Sequence, residues 1–176
     1  MTMNKEMKIT STRGIVFIGL FVGLAIILTR FVQIPFTFIP GFNDRISLGF
    51  LPVALSGTLF GPAGGALVGG LEDLIRALIF PQGDINLLFT LNAALRGVIY
   101  GLFLRKMNIK NIIIASLIIF ALNNTLIISA IIHLCYGAPF IAAITGKVGV
   151  SAINCVVQII VLIALGMPIE RTLKNV

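Results

Sequence analysis

Polar side chains are scarce in this chain, so the few that fall inside its apolar runs are where chemistry must be sought. Arg96 sits in the middle of LNAALRGVIYGLF, with Asn92 one helical turn before it. Asn123 and Asn124 occupy the centre of another apolar run, and Lys147, Asn154 and Gln158 are spread along a third. A guanidinium presents a planar fork of donors that suits a carboxylate or a flat conjugated ring. An ionisable group inside an apolar span costs a few kcal/mol and generally faces protein or water. Two cations and several amides on three late spans therefore point to an anionic, hydrogen-bonding ligand. Interhelical hydrogen bonding is the competing use for each asparagine.

A second group, Glu72, Asp73 and Arg76, follows a ladder of glycines in LFGPAGGALVGGLEDLIRALIF. Glu72 and Arg76 are four residues apart, a spacing that lets them pair along one helix face. Asp73 is then left to reach Arg96 across a bundle, unless all three anchor the end of a span at the membrane interface. The ladder itself, Gly57, Gly61, Gly65 and Gly69, forms a shallow groove on a helix. Small residues let two backbones come close, so the groove serves either packing within the protein or docking of another one. Gly19 and Gly23 make a second face of this kind.

Other chemistries are excluded by residue type. TGKV at 145–148 is not a phosphate loop, because Ile141 stands where its first glycine is needed and no Ser or Thr follows Lys147. The chain has no HExxH and no serine nucleophile elbow. His133 and Cys135 are too few to hold a metal, and Cys135 and Cys155 read as apolar packing residues rather than a disulfide. No metal and no cofactor are expected. A stand-alone intramembrane enzyme is the alternative class, with only a few carboxylates to support it.

The elements that must position these residues follow from composition. Of 176 residues, 58% are hydrophobic and 11% charged, with a mean hydropathy of +1.09. Soluble domains are about half apolar and a quarter charged, so this is a membrane protein. A helical span needs about 20 apolar residues, and six fit, near 13–32, 46–60, 62–80, 86–104, 111–133 and 142–166, the second and third parted by Gly61-Pro62. The runs are too long for barrel strands. The expected fold is a single all-α domain over 1–176, a bundle of six transmembrane helices. Lys5, Lys8 and Arg13 precede the first span, Arg105, Lys106 and Lys110 follow the fourth, and Arg171 and Lys174 follow the sixth. By the positive-inside rule these segments, and so both termini, are cytoplasmic. That distribution accounts for the net charge of +7 without nucleic acid. The first apolar run lacks a small-x-small cleavage site and is retained as a span. The opposite face carries QIPFTFIPGFNDR and FPQGDIN, where Phe36, Phe38, Phe42 and Phe89 offer aromatic surface for a lid over a captured solute.

LGFLPVALSGTLFGPAGGALVGGLEDLIRALIFPQG and FTLNAALRGVIYGLFLR resemble the substrate-binding S components of energy-coupling factor vitamin transporters, and TLNAALRG resembles the folate-specific group. The likeness extends to YGAPF and IERTLK. It implies a six-helix bundle of the prokaryotic cell membrane. Such a bundle binds a vitamin near the outer face and associates with a membrane coupling protein and two ATP-binding cassette ATPases. Folate is the implied ligand and pantothenate the runner-up. The candidate ligand contacts are Arg96, Asn92, Asn123, Lys147, Phe89, Phe38, Arg30 and Arg45. In this family small-residue faces meet the coupling protein, which implies that role for Gly19, Gly23, Gly61, Gly65 and Gly69.

Overall fold

The computed structural model of the chain describes residues 9–39, 42–80 and 86–174. Helix α1 spans Thr12–Phe31 and opens on Ser11, whose hydroxyl oxygen accepts the Gly14 N–H at 3.0 Å. Strands β1 (Gln33–Ile39) and β2 (Phe42–Ser47) follow as an antiparallel hairpin, with Gln33 opposite Ser47 and Pro35 opposite Arg45. Next come α2 (Phe50–Ile79) and α3 (Leu87–Phe103), the latter capped by Asn86, whose side chain accepts the Leu88 N–H at 3.0 Å. Helices α4 (Ile109–Ile118) and α5 (Ile128–Tyr136) are joined without a break by a π-helical stretch, Ile119–Ile127. Helices α6 (Phe140–Val161) and α7 (Met167–Lys174) are joined likewise by a π turn, Leu162–Gly166.

The all-α reading needs one correction, the hairpin in the stretch taken for a loop. QIPFTFI alternates large apolar residues over seven positions and is rich in β-formers. That signal is short beside the helical runs around it. A second difference is at the end of the chain, where the last rod continues past 166 despite Pro168. The Met167 N–H bonds back to the Leu162 carbonyl across the wider π turn, and proline then stands in the first turn of α7, where its missing N–H costs little.

Helix α2 is not one rod. Gly61 has φ 72° and ψ −166°, a conformation that glycine adopts readily and other residues do not. Pro62 then starts a new helix where no N–H is required. A Cβ on Gly65 would lie 3.3 Å from Gly57 Cα, and one on Gly69 would lie 3.4 Å from Val53 Cγ1. Along a continuous helix, residues eight and sixteen apart are separated by about 12 and 24 Å. The chain therefore reverses at Gly61 into two antiparallel rods, 50–60 and 62–79.

Helix α3 seals the seam between those rods. A Cβ on Gly65 would overlap the Gly97 carbonyl, one on Gly69 would come within 2.6 Å of the Ala93 carbonyl oxygen, and one on Gly57 within 2.8 Å of the Gly101 nitrogen. The expectation that Gly61, Gly65 and Gly69 offer a face to another protein therefore gives way. Gly65 and Gly69 are buried where three backbones meet, and Gly61 is the turn itself. The other small-residue face stays open: around Gly19 and Gly23 a Cβ would meet nothing within 4 Å, and Val16, Leu20 and Ile27 beside them are exposed.

Rod 50–60 is the centre of the molecule, with every residue in it buried. Phe21 and Ala25 of α1, Tyr100 and Leu104 at the end of α3, and Ile112, Ile119 and Leu162 complete the core around it. Among the described residues, Thr12–Phe31, Ile109–Tyr136 and Phe140–Glu170 are long and apolar enough to cross a membrane, as is Phe50–Ile79 when its two rods are taken together. Leu87–Phe103 is a shorter apolar helix.

Candidate ligand-binding site

The packing that closes the core at one end leaves it open at the other. Gly61 and Arg105 lie together at the closed end. At the hairpin end the rods diverge around a cavity of about 450 Å³. Its walls come from Thr29 and Arg30 at the end of α1, Gln33 and Ser47 at the foot of the hairpin, and Phe50. Glu72, Asp73 and Arg76 of the second α2 rod, Phe89, Asn92 and Arg96 of α3, and Asn123, Asn124 and Ile128 close it. A second lobe of about 150 Å³ shares Ser47, Phe50, Arg96, Asn124 and Ile128, and adds Lys147, Ser151, Asn154 and Gln158 of α6. Arg96 thus stands at the junction of the two lobes.

The charges after the glycine ladder line this cavity rather than anchoring a span end. Arg76 pairs with Asp73 and lies 3.4 Å from the Glu72 carboxylate, Nε to Oε1. Thr90 donates to the other Asp73 oxygen at 2.9 Å. Asp73 is therefore held by Arg76 and Thr90, and the pairing with Arg96 across the bundle is replaced by this local network. Three residues of separation make Arg76 the nearer cation, and Thr90 stands where α3 begins. It is Glu72 that feels the Arg96 charge, while Thr29 hydrogen-bonds its carboxylate.

Around Arg96 the polar atoms are incompletely paired. Its Nε is buried with no hydrogen-bond partner, as are Asn92 Oδ1, Asn123 Oδ1 and Gln158 Oε1. The Asn123 amide is fixed, because its Nδ2 donates to the Asn92 carbonyl at 3.0 Å. The π-helical stretch explains how two adjacent asparagines and Ile128 reach one cavity. Its wider turn brings Asn123 and Ile128, five apart, into line, while Asn124 lies four residues before Ile128 on the same side. A buried polar atom left unpaired costs about 1–3 kcal/mol. Four of them around adjoining lobes favour a ligand that supplies both donors and acceptors.

Of the residues singled out in the sequence, Arg96, Asn92, Asn123, Phe89 and Arg30 line the larger lobe and Lys147 the smaller. Arg30 is held at the rim by the Phe80 ring, 5.0 Å from its guanidinium carbon. Phe38 lies on β1 and Arg45 on β2, and their side chains are outside the described residues, as are those of Phe36 and Phe42. Thr29, Gln33, Ser47 and Ser151 were not singled out, since small polar residues at element ends are ordinary. The one cue was that three of them bracket the hairpin stretch. Among the described residues, no cluster of metal-binding side chains occurs.

Comparison with known proteins places this geometry. The folate transporter FolT of Clostridium novyi (strain NT) is 38% identical over 111 residues, which span 62% of this chain and 62% of that relative's length. A crystal structure of FolT bound with folic acid superposes with a TM-score of 0.78 at 28% identity, covering 90% of this chain and 95% of the other. The profile of the ECF-type riboflavin transporter S component matches residues 9–171, almost the whole chain. A helical protein with several membrane-length apolar rods around a polar cavity is what such a subunit requires. The chain belongs to the family of ECF-type riboflavin transporter S components, multi-pass proteins of the prokaryotic plasma membrane.

Proposed function

We propose that the chain is the folate-binding S component of an ATP-driven energy-coupling factor importer. The observation that carries this reading is the two-lobed polar cavity with Arg96 at its junction, in a chain that resembles the folic-acid-bound FolT over nine-tenths of its length. Folic acid has a flat conjugated ring and a carboxylate-bearing tail, the two groups a guanidinium suits. Arg96, Asn92, Asn123, Lys147, Phe89 and Arg30 are the proposed contacts, with Phe38 and Arg45 of the hairpin completing the set.

In this reading the chain makes six membrane passes, the reversal at Gly61 counting as one of the turns. Arg105, Lys106 and Lys110 mark the cytoplasmic side, with both termini on it. The cavity then opens outward, where the hairpin over it acts as the lid. The chain has no phosphate loop of its own, so energy must reach it from a membrane coupling protein and its two ATP-binding cassette ATPases.

Mass spectrometry of small molecules released from the purified protein tests the ligand. Folate or a reduced folate is the expected mass, and riboflavin in its place overturns the assignment. Riboflavin is the second reading because the matching family carries its name. It has no ionised group for Arg96 and Lys147 to neutralise, which is why folate is preferred.

The open face of α1 is the proposed contact with the coupling protein. Gly23→Leu is expected to leave melting temperature and folic acid affinity unchanged while reducing co-purification with that protein, because a Cβ at this position meets nothing within 4 Å inside this subunit. A fall in melting temperature with assembly intact would assign Gly23 to internal packing instead.

A further inference from the structure

One helical turn past Arg96 on α3 stands Tyr100, fully enclosed and lining neither lobe of the cavity. Its hydroxyl is buried without a hydrogen-bond partner. The residue belongs to the apolar core with Leu104, Ile112, Ile119 and Leu162, a setting in which a phenylalanine ring would pack as well and strand no polar atom. Residues four apart on a helix are neighbours, and a long side chain leans back over the turn that precedes it, so the Tyr100 hydroxyl is directed toward Arg96. Tyr100 is within electrostatic reach of Arg96 and also of Cys155 on α6. Three residues after Cys155, on the same face of α6, comes Gln158, which lines the smaller lobe together with Arg96.

Three buried atoms here lack partners, and their chemistry is complementary. Arg96 Nε can only donate, Tyr100 Oη can donate and accept, and Gln158 Oε1 can only accept. We propose that Tyr100 is a positioning residue for Arg96, closing a chain as a ligand is taken up: Arg96 Nε–H donates to the Tyr100 hydroxyl, which donates to Gln158 Oε1. Nε is the root of the guanidinium. A group held at its root cannot swing about its last side-chain bonds, and its two Nη groups stay aimed at the cavity. The chain ties α3 to α6 behind the ligand, and Tyr100 itself touches none of it. The inference rests on the folate reading for the ligand used to test it.

The test is titration of the purified full-length protein with folic acid, with a melting curve for every variant. Tyr100→Phe removes the hydroxyl and keeps the ring. It is expected to weaken folic acid about threefold to tenfold, the size of one hydrogen bond, without lowering the melting temperature of the ligand-free protein. Arg96→Lys has no Nε, so adding Tyr100→Phe to it should cause no further loss. Gln158→Met lacks the acceptor and gives a second cycle, in which Tyr100→Phe should cost less than it does alone. A tyrosine that only fills the core predicts unchanged affinity and a raised melting temperature in Tyr100→Phe. That result, or the same fold loss in all three backgrounds, overturns the proposal. A wild-type protein that binds riboflavin and ignores folic acid overturns the folate reading instead, and the same two cycles titrated with riboflavin then decide the chain by themselves.

Discussion

Arg96→Ala is expected to weaken folic acid binding by about 2–5 kcal/mol, the cost of removing one partner from a buried, hydrogen-bonded charge pair. The effect is large because the guanidinium lines both lobes, and among the described residues no other cation does so. Glu72 would be affected as well, since it loses one of the two positive charges that offset its own in a cavity wall. Arg96→Lys separates these contributions. A lysine restores the charge but not the planar fork, so it should recover only part of the affinity. Titration calorimetry on both variants, with melting curves to show that each is folded, gives the answer. Unchanged affinity in folded Arg96→Ala would remove Arg96 from the site.

Gly65→Leu is expected to abolish folding rather than to change function, and Gly97→Leu to do the same. These glycines face each other where α3 lies against the reversed rods, and a side chain on either would occupy the backbone of the other. The first rod crowds the same place, since a Cβ on Gly65 would also lie 3.3 Å from Gly57 Cα. Overpacking in a tolerant core costs about 1–3 kcal/mol. Here the obstacle is main chain, and the loss should exceed about 4 kcal/mol, the range reserved for gross core disruption. Folic acid binding and thermal stability should fall together in membranes and in detergent. A Gly65→Leu protein that melts at the wild-type temperature would refute the packing described for the seam.

Much of the architecture could be read from residue types because the bilayer demands long apolar runs and the chain has few charges to confuse them. Helix α1 was expected over 13–32 and lies at Thr12–Phe31; α3 was expected over 86–104 and lies at Leu87–Phe103. Gly61-Pro62 marked a boundary correctly, but its dihedral angles were needed to show a full reversal rather than a bend. That reversal decides what the glycine ladder touches. Spacing of four along one helix says that a face is smooth and says nothing about which neighbour lies on it. Open space around Gly19 and contact around Gly65 are differences of tertiary position, invisible in two similar small-residue patterns.

The cavity was legible in part for a related reason. Arg96 and Asn92 stood out because a polar group in the middle of an apolar run needs a partner. Glu72, Asp73 and Arg76 were ambiguous, being near the end of a span where charge is tolerated, and only the convergence of α1, α2 and α3 shows them as cavity wall. Helical periodicity brings Asn124 and Ile128, four apart, to one side but does not bring Asn123 into line with Ile128. The π-helical stretch does, and a nine-residue π segment has no composition of its own to announce it.

The short rod 50–60 bears on how the protein enters the bilayer during synthesis. Eleven residues rise only about 16 Å, half the thickness of the hydrocarbon layer, so the segment is a poor candidate for insertion by its own hydrophobicity. In the finished protein none of its residues is exposed at the surface. It must therefore be drawn in by neighbours made before and after it, α1 on one side and the rod beyond Gly61 on the other. The reversal at Gly61 joins the two rods into a single helical hairpin, and such a hairpin can cross the translocation machinery as one object while neither arm need be selected alone.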